Sequence, residues 1–256
     1  MTPAAHVFSA RIRWKKRRKI RKSGKSQILA LMSSISGDVR WKDKEMNNTK
    51  IEWTDFTWNP YTGCLRNCEW CYAKRIYHRF GRSFEPQFHP EKLGEPISLK
   101  KASKIFTCSV ADFFANWTKP EWIRAILRVI KQCPHHIFQV LTQDPQNIDS
   151  IYNLPLNLWV GTTIRNQKET TRIDFLRNSN AKVKFISFEP LMGAVDTDLM
   201  GIDWVIVGAM TGHLRRKYEP HREWITKLID QTREMNIPIF IKDNIHWDEE
   251  IKEFPK

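Results

Sequence analysis

The chain has 256 residues, with 42 Lys and Arg against 28 Asp and Glu, a formal net charge of +14. Its 41% hydrophobic content supports a sizeable core, which excludes a wholly disordered protein. No apolar run approaches the roughly 20 residues of a membrane helix, and five cysteines are too few for a disulfide scaffold at this length.

The charge is unevenly placed. Residues 1–45 hold 13 Lys and Arg against three acids, Asp38, Asp43 and Glu45, whereas the other 211 residues hold 29 against 25. Arg11 to Lys25 carries ten positive charges and no acid. Such a block repels itself, so residues 1–45 are expected to form a disordered basic extension. Three readings of it stand side by side: a flexible arm for nucleic-acid phosphates, an Arg-rich transit-like leader, or sequence upstream of a natural start at Met46. The apolar stretch Ile28 to Met32 is too short for a secretory signal.

From Met46 onward, short β-branched runs alternate with helical patterns. Expected strands are Ile51–Trp58, Lys104–Val110, Ile137–Thr142, Leu158–Ile164, Val183–Phe188, Trp204–Val207 and Ile237–Ile241. Between them, apolar residues recur at helical spacing in Pro120–Cys133, Gln167–Asn178 and His221–Met235. Strand, helix, strand, repeated, means parallel strands with right-handed crossovers. Several strands are apolar throughout, as strands covered on both faces are. The expected fold is α/β: a parallel (β/α) barrel, partial or full, of six to seven strands over residues 46–256. Such folds place their chemistry at the C-terminal strand ends. Polar residues follow those ends here: Asp112, Gln143, Thr162 and Thr163, Glu189, Thr211 and Lys242.

Three of the five cysteines, Cys64, Cys68 and Cys71, fall within eight positions as C-x3-C-x2-C, directly after the first expected strand. Three thiolates on one loop suit a thiophilic metal centre in a reducing compartment, which implies a cytoplasmic protein. A four-iron cluster held by three cysteines keeps one iron open to another ligand. Structural zinc needs a fourth protein ligand, for which His78, Cys108 and Cys133 are the candidates. His135-His136 reads as an exposed turn, and no phosphate-loop motif is present.

The cysteine motif, with Trp70 before its last cysteine, resembles that of the radical S-adenosylmethionine superfamily. More narrowly, Thr49-Lys50-Ile51-Glu52-Trp53-Thr54-Asp55, Trp58-Asn59-Pro60 and Thr62-Gly63-Cys64 resemble an uncharacterised, phage-associated family within it. Ser187-Phe188-Glu189-Pro190-Leu191 and Asp203-Trp204-Val205-Ile206-Val207-Gly208 add to the likeness, which runs from about Met46 to about Asn244 and leaves out residues 1–45. The resemblance implies a radical-type partial barrel and a [4Fe-4S] cluster on Cys64, Cys68 and Cys71, with Trp70 packed beside it. It implies S-adenosyl-L-methionine as co-substrate, a 5′-deoxyadenosyl radical that abstracts hydrogen, and an electron donor such as a flavodoxin or ferredoxin. By the same resemblance Ser109 and Asp112 bind the methionine amino group, and Thr162 and Thr163 contact the ribose. Ser187 and Glu189 reach cofactor or substrate, and Lys242 and Asn244 engage substrate. No catalytic residue and no substrate is assigned. Two positions depart from the family pattern: Arg165 and Met210 stand where acids are frequent, which leaves open a changed substrate or lost turnover. The alternative from a different class is a non-catalytic, zinc-dependent nucleic-acid-binding protein, with zinc on the three cysteines and His78 and the basic extension on phosphates. No membrane partner is expected.

Overall fold

The computed structural model describes residues 46–148 and 152–256. The basic extension expected over residues 1–45 lies outside them. Strands β1 (Asn47–Asn48), β2 (Phe56–Trp58), β5 (Lys104–Thr107), β6 (Ile137–Thr142), β7 (Leu158–Thr163), β8 (Val183–Phe188), β9 (Trp204–Val207) and β10 (Ile239–Ile241) form one sheet in that order. A two-residue pair, β3 (Tyr61–Thr62) and β4 (Gln87–Phe88), stands apart. From β2 to β10 all seven strands are parallel, and only β1 runs antiparallel, at the edge. The strand order never reverses, so the sheet curls one way into a partial barrel instead of splitting into the two halves of a doubly wound sheet. The C-terminal segment covers the free edge of β10: Ile241 N–H donates to the Ile251 carbonyl at 2.8 Å and Glu253 N–H to the Ile239 carbonyl at 3.1 Å.

Helices α1 (Tyr72–Arg79), α2 (Glu95–Ser98), α3 (Pro120–Gln132), α4 (Arg172–Arg177) and α5 (Arg222–Glu234) lie between the strands. Helix α3 shows why the pattern folds this way. Pro120 opens it, Glu121 and Lys131 suit its dipole, and Trp122, Ile123, Ile126, Leu127, Val129 and Ile130 are buried. Among the described residues no helix is long and apolar enough to cross a membrane.

Residues alternate across the sheet. Ile105, Phe138, Val140, Leu158, Val160, Ile186, Val205 and Val207 are almost completely buried and make up one face. On the concave face Trp53, Phe106, Trp159, Phe185, Trp204, Ile206 and Phe240 pack into one aromatic-rich cluster. Trp204 is its centre, within 6.3 Å of the Trp53, Trp159, Phe185, Phe240 and Phe254 rings. Gly161 lies between Trp159 and Thr163 on the same face of β7, and a Cβ there would sit 2.5 Å from the Phe185 ring. Trp204→Ala removes the central ring and is expected to cost about 3–5 kcal/mol. Thermal denaturation of the variant should show a Tm about 10 °C lower; an unchanged Tm would contradict this account of the core.

Four elements depart from expectation by two residues or more. The first strand starts at Phe56, because Thr54 N–H turns back to the Ile51 carbonyl at 3.3 Å and Trp53 drops into the concave core. The second stops at Thr107, because Cys108 takes φ 60 and gives its N–H to the Trp58 carbonyl at 2.7 Å. The helix expected over Gln167–Asn178 is a 3-10 turn followed by α4, since the Asn166 side chain accepts from Lys168 N–H and the Glu169 carboxylate folds back on Arg165. Ile237 closes α5 instead of starting a strand: Asn236 is left-handed at φ 54, and Ile237 N–H reaches the Thr232 carbonyl at 2.8 Å.

Candidate functional site

The cysteine loop leaves β3 at Gly63, whose φ is +89°. Gly63 N–H donates to the Val110 carbonyl at 3.2 Å and Cys64 N–H to the Phe84 carbonyl at 3.0 Å, so the loop is pinned on both sides. Cys71 caps α1, its Sγ accepting from Lys74 N–H at 3.3 Å. All three cysteines are free and half-buried. They line one cleft at the C-terminal ends of the strands, together with Ser109, Asp112, Gln143 and Thr163. Thr163 and Trp159 share a face of β7, so the aromatic cluster forms the floor of the concave side and the cleft its mouth.

Asp112 is buried, and its carboxylate is already well held. The Thr142 hydroxyl donates to Oδ1 at 2.5 Å, and Gln143 N–H and Arg66 Nε donate to Oδ2, each at 3.1 Å. Burial pushes this carboxyl above the usual carboxylate range, with Asp144 adding to the effect; the Thr142 and Gln143 hydrogen bonds and the Arg66 charge pull it back. A carboxylate offers about four acceptor positions, and these hydrogen bonds fill three of them, one on Oδ1 and two on Oδ2. Arg66, on the cysteine loop, also pairs with Asp144 and lies 5.6 Å from the Trp117 ring centroid. It ties the loop to the ends of β5 and β6. Its signal in the sequence is slight: one cation between two cysteines.

The remaining expected residues divide. Ser109 sits in the cleft wall and donates from Oγ to Asn59 Oδ1 at 3.2 Å, while its carbonyl accepts from the Tyr72 hydroxyl at 2.9 Å. Thr163 is in the wall and Thr162 is not: Thr162 points to the other face, fully buried, donating to the Thr142 carbonyl at 2.9 Å. Ser187 is buried, paired in register with Thr163. Glu189 and Lys242 form an ion pair across Gly208, where a Cβ would meet Lys242 at 2.9 Å and Glu189 at 3.0 Å. Asn244 is engaged with both backbone groups of Ala209, accepting at 3.0 Å and donating at 2.9 Å. Trp70 stacks under the Arg165 guanidinium, 4.9 Å from ring centroid to cation. Arg165 is buried and paired with Glu169, and Met210 is buried too. Both departures from the family pattern therefore occupy folded, satisfied positions.

Three thiols, with the Asp112 carboxylate nearby, are the donor set of this cleft among the described residues. Among the described residues no three His, Cys, Asp or Glu side chains stand close enough to share one metal ion, so the sulfurs line a common wall without converging on a point. His78 is exposed in the last turn of α1 and is absent from the cleft lining, while Cys108 and Cys133 are buried elsewhere. None of the three completes a four-ligand zinc site. His136 is buried, not exposed as expected, and its Nε2 contacts the Pro96 carbonyl at 3.2 Å.

Burial pushes the Cys64 thiol up to about 11, with the charges of Asp112, Cys68 and Cys71 acting in the same direction against the Arg66 N–H. Thiolate is the reactive form, so below that value each pH unit lowers its population tenfold. Iodoacetamide modification of Cys64 in the metal-free protein is therefore expected to be slow at pH 8 and to climb up to about pH 11. A rate already at its plateau at pH 8 would contradict this.

Residues 48–254 match the profile of a family described as "Protein of unknown function (DUF5131)". The chain belongs to this family. The match covers all the strands from β2 to β10 and the whole cysteine loop, so every part of the cleft is family territory. No curated protein matches the chain. Among solved structures, spore photoproduct lyase carrying a Cys-to-Ser substitution is similar with a TM-score of 0.53 at 11% identity, over 78% of this chain and 79% of that one. A doubly substituted spore photoproduct lyase with bound AdoMet and dinucleoside spore photoproduct gives a TM-score of 0.52 at 9% identity, over 77% and 78%. That lyase is a radical S-adenosylmethionine enzyme, and this family member has the same partial-barrel fold.

Proposed function

We propose that the protein is a radical S-adenosylmethionine enzyme that holds a [4Fe-4S] cluster on Cys64, Cys68 and Cys71. One observation carries this reading: the three cysteines line a single cleft at the C-terminal mouth of a seven-stranded parallel partial barrel. The AdoMet in a structure of the same fold supports it. When bound, the pair supplies a 5′-deoxyadenosyl radical able to take a hydrogen atom from a substrate.

The chain's own residues have separate tasks. Gly63 and the Cys71 cap set the path of the loop. Asp112 offers its remaining Oδ1 acceptor position to an ammonium group, and Arg66 aims that carboxylate and favours its charged form against the effect of burial. Thr163 and Ser109 bring a hydroxyl and a carbonyl to the cleft wall for a polar co-substrate. The aromatic floor excludes water from beneath, which protects a reactive species from side reactions. Glu189 and Lys242 stand at the ends of β8 and β10, where a substrate entering the mouth meets them; an electron donor of the flavodoxin or ferredoxin type would supply the reducing electron.

Anaerobic reconstitution tests the reading. It should yield a brown protein with about four irons per chain that forms 5′-deoxyadenosine from S-adenosylmethionine and a reductant. Asp112→Ala should keep the iron and weaken cofactor binding about 10- to 100-fold. A colourless protein that binds one zinc tightly would overturn the proposal.

A further inference from the structure

We propose that the cleft is served by a single-stranded nucleic acid, whose phosphates lie along a basic rim built from α1 and the turn Gly212–Tyr218. This names a substrate class for the cofactor cleft; it rests on the reading above for its chemistry and is independent of it for binding.

The first observation is the segregation of charge. From Tyr72 to Arg82 the chain carries Lys74, Arg75, Arg79 and Arg82 and no acid; from Gly208 to Tyr218 it carries Arg215, Arg216 and Lys217 and no acid. Outside these two segments, residues 46–256 hold 22 Lys and Arg against 25 Asp and Glu. The positive excess of residues 46–256 therefore lies in these two segments, and the rest carries a slight negative excess. Among the described residues none of the seven rim cations pairs with a carboxylate, whereas Arg66, Arg165 and Lys242 inside the mouth all do. Arg75 and Arg215 hydrogen-bond to histidines and Lys74 to Asn67, but cations without a carboxylate partner keep their charge for the counterions' place on a phosphate backbone.

The second observation is placement. The two segments follow the C-terminal ends of β2 and β9 and meet through Arg75 and His213 Nδ1 at 2.7 Å. Gly212, at φ +80, makes that meeting fit: a Cβ there would lie 2.8 Å from the Arg75 guanidinium. Helix α1 begins in the cleft, where Cys71, Tyr72 and Ala73 are part of the lining. A strand following the rim therefore passes the cofactor cleft.

The third observation is aromatic. Phe80 is 65% exposed and Tyr72 45%, and the Arg82 guanidinium lies 5.9 Å from the Phe80 ring centroid. Exposed rings among cations are platforms for unpaired bases. An anionic membrane fits less well, because the second half of the rim has no apolar group to insert: its one large aliphatic side chain, Leu214, is buried.

The test is fluorescence anisotropy with the full-length protein and labelled 20-nucleotide DNA and RNA strands, across a salt series, before and after cluster reconstitution. Full-length R79Q/R82Q/R216Q/K217Q should bind at least tenfold more weakly at about 0.1 M salt, with a salt slope shallower by about 3, since each lost phosphate contact is worth about 0.7. R216Q/K217Q alone, confined to an exposed turn, should show about half that change and guards against misfolding of the fourfold variant. Phe80→Ala should weaken binding of a normal strand about tenfold and leave an abasic strand unchanged. Unchanged affinity and slope in both charge variants would overturn the proposal and assign binding to residues 1–45. Binding of anionic vesicles in place of strands, lost in the same variants, would overturn it in favour of a membrane. Strand binding is read without turnover: a protein that binds as stated but loads no iron keeps this inference and loses the enzyme reading, and one that cleaves the cofactor but binds no strand does the reverse.

Discussion

Replacing any one of Cys64, Cys68 and Cys71 by alanine is expected to remove the bound iron and lower 5′-deoxyadenosine formation by more than about 100-fold. Losing an outer partner of a metal ligand already costs about 10- to 100-fold, and a lost ligand costs more. The fold should survive, because the three side chains are half-buried in a cleft wall and are not part of the aromatic cluster. Cys108→Ala and Cys133→Ala are the matched controls. Both side chains are buried away from the cleft, so each loses some packing, about 1 kcal/mol, and keeps its iron. Iron analysis and the melting curve of each variant separate the two groups. Full iron content in any of the three cleft variants would sink the assignment of the cluster to this loop.

Gly63→Val should be nearly as damaging, by a different route. The residue sits at φ +89, and a Cβ would fall 2.3 Å from the Glu85 carbonyl oxygen and 2.7 Å from that of Phe84. Both obstacles are backbone, so no side-chain rotation relieves them. The left-handed conformation adds strain for a β-branched residue. Together these effects cost about 4 kcal/mol or more. The chain's cheapest escape is to release the loop from Val110 and Phe84, which scatters the cysteines. Reconstitution of the variant should then give little iron, with Cys64, Cys68 and Cys71 all present. Wild-type iron loading in Gly63→Val would show that the loop path is not set by this glycine.

Much of the frame was legible because the elements obey local rules. Ile137–Thr142 and Trp204–Val207 carry apolar residues on both faces, and with Val183–Phe188 they match the observed strands end to end. Helix α3 announces itself by Pro120 and its apolar stripe. The misses share one cause, a contact that the sequence does not display. Trp53 leaves its strand because the concave floor takes its indole. The expected helix after β7 breaks because Glu169 is drawn to Arg165 and Arg172, holding a loop beside the cleft. Within the site, the spacing of the three cysteines located the cleft, and their neighbours in space did the rest. Arg66, 46 positions before Asp112, carries no motif of its own, yet it bonds that carboxylate. Thr162 and Thr163 look equivalent in sequence, but strand alternation sends one hydroxyl into the buried side and the other into the cleft.

The net charge of +14 shows how far sequence alone reaches. By itself the sequence determined that most of the excess lies before Met46 and that residues 46–256 are close to balanced. It determined the parallel α/β order as well and marked the cysteine loop of the cleft, since burial periodicity and residue spacing are properties of neighbours along the chain. Only the tertiary structure decided that the body's small excess is gathered at one place. Arg75 and His213 are 138 positions apart, and they touch because a curled parallel sheet delivers every loop after a C-terminal strand end to the same mouth. That convergence also seats Asp112, Thr163 and the three cysteines around one cleft, because proximity across strands depends on register and curvature, which composition and spacing do not encode.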